Sequence, residues 1–141
     1  MQTSHEKLAA LLKKQGLSVT KPRLAVFQAL IGKDPLTMHE LVTQVTAIDR
    51  ASAYRTIDLF EKLGVVIRIN IGWKYKIELS DAFLEHHHHL SCTSCGKTVA
   101  MNETELEHAI DRLSNLHGFV PFAHQIEIQG TCNDCLKKNQ R

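Results

Sequence analysis

His86-His87-His88-His89-Leu90-Ser91-Cys92-Thr93-Ser94-Cys95-Gly96-Lys97 sets four histidines and a cysteine couplet side by side, and Cys132-Asn133-Asp134-Cys135 uses the two remaining cysteines. Thiolates two residues apart can turn toward one ion from a tight knuckle, and two such knuckles complete the tetrahedral sulfur cage that zinc prefers. Turn residues flank both couplets, Gly96 after the first and Gly130 with Asn133-Asp134 around the second. The spacer from Gly96 to Thr131 exceeds that of a compact zinc ribbon, so it must carry a helix and strands of its own. The metal would then pin the end of a domain. Two disulfides are the other use of four cysteines, but they need an oxidising compartment. His5, Glu6 and Lys7 interrupt any leader segment, and no apolar run of about 18 residues follows. The expectation is structural zinc in a cytoplasmic protein that does not enter a membrane.

The histidine run permits a second deduction. In an extended segment side chains alternate, so His86 and His88 point one way while His87 and His89 point the other. Four adjacent ligands thus feed two sites.

Charge divides the 141 residues unequally. Residues 1–82 hold 12 Lys/Arg against 8 Asp/Glu, whereas residues 83–141 hold 5 against 7 together with seven of the nine histidines. The front half reads as a polyanion binder and the back half as a metal binder. Leu8, Leu11 and Leu12 recur at helical spacing before Gly16, a glycine C-cap. Thr20 caps a second helix with Pro22 in its first turn and Val26, Phe27, Leu30 and Ile31 on its apolar face. Thr37 and Glu40 form a capping box for a third helix from Met38 to Thr46 that buries Leu41, Val42 and Val45. Asp49 caps a fourth from Arg50 to Leu63, with Ala53, Ile57 and Phe60 inward and Gly64 past its end.

Two short helices joined by a tight turn, then strand-like Val65 to Ile71, a turn at Gly72, and Trp73 to Leu79, predict a winged helix-turn-helix over residues 1–80. The fourth helix is the reader, with Ser52, Tyr54 and Arg55 off its apolar face, able to reach phosphates and base edges of double-stranded DNA. Lys13, Lys14, Lys21 and Arg23 before it, and Arg68 and Lys74 on the wing, are candidate backbone contacts.

A hinge at 81–85 leads into residues 86–141. There Asn102 or Thr104 starts a helix to Leu116 with Leu106, Ile110 and Leu113 on one face. Thr98 to Met101 and Gln125 to Gln129 read as strands. Three strands and one helix in under sixty residues make little core, so this part is expected to rely on zinc and on pairing with a second copy. The fold class is α+β: an N-terminal winged-helix DNA-binding domain followed by a small metal-binding dimerisation domain.

These stretches resemble the ferric uptake regulator superfamily of bacterial metal-dependent repressors. The residues carrying the resemblance are Thr20-Lys21-Pro22-Arg23, Ser52-Ala53-Tyr54-Arg55-Thr56, Glu61-Lys62-Leu63-Gly64-Val65-Val66, the run from His86 to Lys97, and the closing Cys132 to Cys135. The resemblance implies that Cys92, Cys95, Cys132 and Cys135 hold structural zinc. It further implies that Glu78, His87 and His89 form a hinge site whose occupancy switches DNA binding, and that His86, His88, Glu107 and His124 form an additional site in the dimerisation domain. Such a protein represses metal-uptake genes from palindromic operators as a homodimer.

The chain departs from the family pattern at two places. Pro35 stands where many iron-type members carry a histidine, and Ala100 where many carry a carboxylate, so the hinge site either lacks a fourth protein ligand or recruits one such as His39. The regulatory metal is zinc or iron. His88, where iron-type members often have aspartate, leans toward zinc, and Glu78, where several zinc sensors have cysteine, leans back. Peroxide sensing is a third role in the same family. A metalloenzyme would need an open coordination position and a general base, and no HExxH or comparable motif occurs, so an enzyme is not expected. A zinc-stabilised interaction module would bind its partner equally well with the histidine sites empty.

Overall fold

Thr3 and Thr37 start helices by the same exchange. Each hydroxyl accepts a bond from the backbone N–H of Glu6 or Glu40, whose carboxylate accepts the threonine N–H in return. In the computed structural model, which describes residues 1–140, these helices are α1 (Ser4–Lys14) and α3 (Met38–Gln44). Between them lies α2 (Lys21–Leu30), where the Thr20 hydroxyl accepts the Arg23 N–H at 3.4 Å. After them comes α4 (Arg50–Lys62). Asp49 occupies the N-cap position of α4, and the Ser52 hydroxyl bonded to its carboxylate holds that carboxyl below its usual range. The third helix stops at Gln44, short of the expected Thr46, because Val45 turns out of helical geometry at φ −95°, ψ 75° while its side chain stays in the core.

The four helices belong to the first of two compact units, Met1–Glu85. Leu8 and Leu12 of α1, Val26 and Phe27 of α2, Leu41 of α3 and Phe60 of α4 are wholly inaccessible and meet in one cluster. Two strands complete this unit, β1 (Val66–Ile71) and β2 (Lys74–Leu79), paired antiparallel with Ile71 opposite Lys74. Only Gly72 and Trp73 lie between them. Gly72 takes φ +63° and Trp73 does not take a positive φ, which is the II′ geometry that matches strand twist and needs glycine first. Leu36 adds an isolated bridge to Ile77 through bonds of 2.9 and 2.6 Å, tying the segment before α3 to the wing.

The second unit, His86–Arg141, contains β3 (His88–Cys92), β4 (Thr98–Met101), α5 (Thr104–Leu116), β5 (Glu127–Gly130) and α6 (Asn133–Asn139). Its sheet has the order β4-β3-β5, with β3 antiparallel to β4 and parallel to β5. One helix was expected here and two are found, because the second cysteine couplet opens α6. Among the described residues of this unit, the buried ones are His88, His89, Ser91, Cys92 and Cys135. No leucine, isoleucine, valine or phenylalanine joins them.

Candidate metal centre and nucleic-acid interface

Cys92 ends β3, and the chain reverses through Thr93 to Cys95 with a bond from Gly96 N–H to the Cys92 carbonyl at 2.9 Å. Gly96 sits at φ +78°, a conformation that a residue with Cβ adopts only at a cost. Across from it, Cys132 is the N-cap of α6 and Cys135 lies in its first turn, so both sulfurs face the same side. The four thiol sulfurs lie within 4.8 Å of one another, and none is in a disulfide. Cys95 Sγ and Cys132 Sγ are 3.8 Å apart. Zinc–sulfur bonds of about 2.3 Å give a tetrahedron with edges of about 3.8 Å, so the cage fits that ion.

Electrostatics of the four thiols point the same way. The Cys132 N–H donates to Cys92 Sγ at 3.3 Å, and that bond leads the effects that hold the Cys92 thiol down to about 6. Bonds to the surrounding sulfurs, Cys132 first, push Cys135 up to about 12. Four thiolates in one place resist full ionisation until a cation joins them.

The histidine run alternates as a strand requires. His86 and His88 bring their rings to 4.7 Å, and His87 and His89 do the same. On the first side Glu107, from the first turn of α5, and His124, from the segment before β5, complete a cluster. Glu107 accepts from His88 Nε2 at 2.5 Å and from His124 Nε2 at 2.9 Å, and lies 3.5 Å from His86 Nε2. His86 Nε2 and His124 Nε2 are 3.0 Å apart. Two imidazole nitrogens facing each other repel unless a proton or a cation lies between them. Bonds of about 2.0–2.1 Å to zinc give tetrahedral edges of about 3.3 Å, within the span observed. The bond from His88 holds the Glu107 carboxyl below its usual range. On the other side, Ala100 is the β4 partner of His89, so that neighbour offers no ligand atom. Glu78 is a residue of β2 opposite Ile67. His39 lies exposed on α3.

On α4, Arg55 is exposed and donates to the Ser52 hydroxyl at 3.1 Å. The Arg50 guanidinium lies 5.4 Å from the centroid of the Tyr54 ring and donates to its hydroxyl at 3.4 Å. The i, i+4 spacing of Arg50 and Tyr54 is the sequence signal for this pair. A cleft of about 250 Å³ lies between the start of α2 and α4, lined by Thr20, Pro22, Arg23, Ser52 and Arg55. Arg23 also donates to the Ser18 carbonyl at 2.6 Å. Lys13, Lys14 and Lys21 are exposed. Arg68 is engaged within the unit: its Nε donates to Glu61 at 2.8 Å, Asp58 lies at 3.8 Å, and its guanidinium stacks 4.4 Å from the Tyr75 centroid.

Residues 14–129 match the Ferric uptake regulator family. The chain belongs to the ferric uptake regulator family. The ferric uptake regulation protein of Klebsiella pneumoniae is 32% identical over 139 residues, covering 91% of this chain and 87% of that protein. The crystal structure of the Vibrio cholerae ferric uptake regulator superposes with a TM-score of 0.74 at 26% identity, over 89% of this chain and 99% of that one. The Helicobacter pylori ferric uptake regulator, whose structure is described as revealing three functional metal binding sites, superposes at 0.80 with 23% identity, over 94% and 91% of the two chains. As a member of this family, the chain is a metal-responsive transcriptional regulator and not an enzyme. Regulators of this family bind operator DNA, typically as dimers.

Proposed function

We propose that this protein is a repressor of metal-uptake genes that grips palindromic operator DNA as a homodimer when its hinge site is loaded, with zinc slightly favoured over iron as the regulatory ion. The observation that supports a metal-loaded regulator is the alternation of the histidine run, which pairs His87 with His89 at 4.7 Å for the hinge site and turns His86 and His88 to Glu107 and His124, 2.5–3.5 Å apart, at a second site. Three imidazoles and one carboxylate suit zinc and also accept ferrous iron. Cys92, Cys95, Cys132 and Cys135 would hold a separate, permanent zinc. His87 and His89 with Glu78 would form the regulatory hinge site, with three protein ligands because Pro35 and Ala100 supply none. A divalent ion bound by such sets supplies the charge that holds several side chains in one arrangement.

On the DNA side, Tyr54, Arg55 and Ser52 would read base edges from α4, while Lys14, Lys21 and Arg23 engage phosphates. No helix among the described residues is long and apolar enough to cross a membrane, and the regulator would act in the cytoplasm. The test is a titration of zinc and, anaerobically, of iron(II) into protein that retains only its cysteine zinc, with a duplex enriched from a random pool as the readout. Duplex binding that rises with either ion, and more readily with zinc, is expected. Binding indifferent to both ions would defeat the repressor reading.

A further inference from the structure

Trp73 is the only tryptophan in the chain, and it stands at the apex of the β1–β2 hairpin with 89% of its surface exposed. The turn does not require it, since Gly72 takes the positive φ and the second position accepts a small polar residue. Leaving an indole in water forgoes the burial that normally stabilises so large a side chain. Beside it the Lys74 ammonium lies 5.0 Å from the centroid of the indole, so the tip is an apolar blade edged with positive charge. The other end of the hairpin is anchored. Arg68 of β1 reaches Asp58 and Glu61 of α4, within two turns of Arg55, which fixes the wing against the reading helix. Three steps of strand, Arg68 to Ile71, carry the turn about 10 Å from that anchor, and the indole extends beyond it. The major groove is about 12 Å wide, so its bordering phosphates lie about 6 Å from a helix at its centre, and a tip about 10 Å out reaches past them toward the next minor groove.

We propose that Trp73 enters the minor groove flanking the site read by α4, as an apolar wedge against sugars and base edges, with Lys74 on an adjoining phosphate. The inference rests on α4 reading DNA, and it redistributes the work of the wing. Arg68, held by two carboxylates and a tyrosine, is a positioning residue, and the contact falls to Trp73 and Lys74.

Because Trp73 is the sole tryptophan, its emission reports on the contact directly. The full chain, loaded with zinc, is titrated with a duplex enriched from a random pool by the same protein, following duplex anisotropy and tryptophan emission together. The duplex should shield Trp73 from acrylamide in step with binding, and netropsin, which fills the minor groove, should reverse the shielding. Trp73→Ala should weaken duplex binding about tenfold, Trp73→Phe should restore part of it, and metal content should not change. Duplex binding with Trp73 still fully open to acrylamide overturns the wing assignment and leaves the reading of α4 standing. No duplex binding at all overturns both. Shielding that grows with protein concentration in the absence of DNA assigns the tip to a protein contact and also overturns the proposal.

Discussion

Cys92 and Cys135 belong to one cage yet ionise at opposite extremes, because a backbone N–H faces the first and sulfurs surround the second. Cys92 titrates near 6 instead of its ordinary 9.0, so at neutral pH zinc displaces no proton from it, whereas below about 6 it must. The pH dependence of zinc affinity should therefore steepen by about one proton as pH falls through 6, measured by competition with a chelator from about pH 5 to about pH 8. In the metal-free chain the depressed thiol stabilises the fold above its unfolded value, and that contribution is lost as pH falls through about 6. A second expectation concerns Glu107, which bonds to two histidines. Glu107→Ala should remove one metal equivalent per chain by elemental analysis while leaving the cysteine zinc bound. The alternation of His86 to His89 was legible because strand geometry has period two. Grouping Glu107 and His124 with them was not, since nothing local links a helix start and a distant loop to that strand; only the resemblance suggested it.

Capping chemistry decides the elements around these sites, and it was legible where a motif is complete. Thr37 and Glu40 revealed α3 in advance, whereas the identical Thr3 and Glu6 exchange at the start of α1 was passed over, though the same spacing was there to read. Thr37→Ala should cost the first unit about 1 kcal/mol in denaturant unfolding without changing metal content. The short helix α6 was hidden because its first turn is the cysteine couplet itself, with Cys132 at the N-cap, and because Asn133 and Asp134 suggested a loop, although Asp134 also suits a first helical turn. Gly96 illustrates the reverse case, where a turn residue was recognised for what it does. At φ +78°, with nothing within 4 Å of where a Cβ would stand, Gly96→Ala meets no clash, only backbone strain of about 1 kcal/mol. It should weaken zinc binding about fivefold in the same competition assay.

Across the whole molecule, the two units are stabilised by different means. The first has an aliphatic and aromatic core. The second buries metal-binding side chains and leaves Leu113, Leu116, Phe119, Val120 and Phe122 exposed, an apolar surface that a second copy would cover. Leu116→Asp should shift the protein toward monomers in sedimentation, and stripping the cysteine zinc should melt residues 86–140 while α1–α4 stay folded, as followed by amide NMR. A regulator of the proposed kind couples metal at its histidine sites to DNA on α4. Linkage makes that coupling reciprocal, so the most direct measurement is metal affinity at those sites with and without the selected duplex, on protein retaining its cysteine zinc. The duplex should tighten the metal by the factor, on the order of tenfold, by which metal tightens the duplex. Identical metal affinity in the two titrations would show the two sites to be uncoupled and rule out the switch.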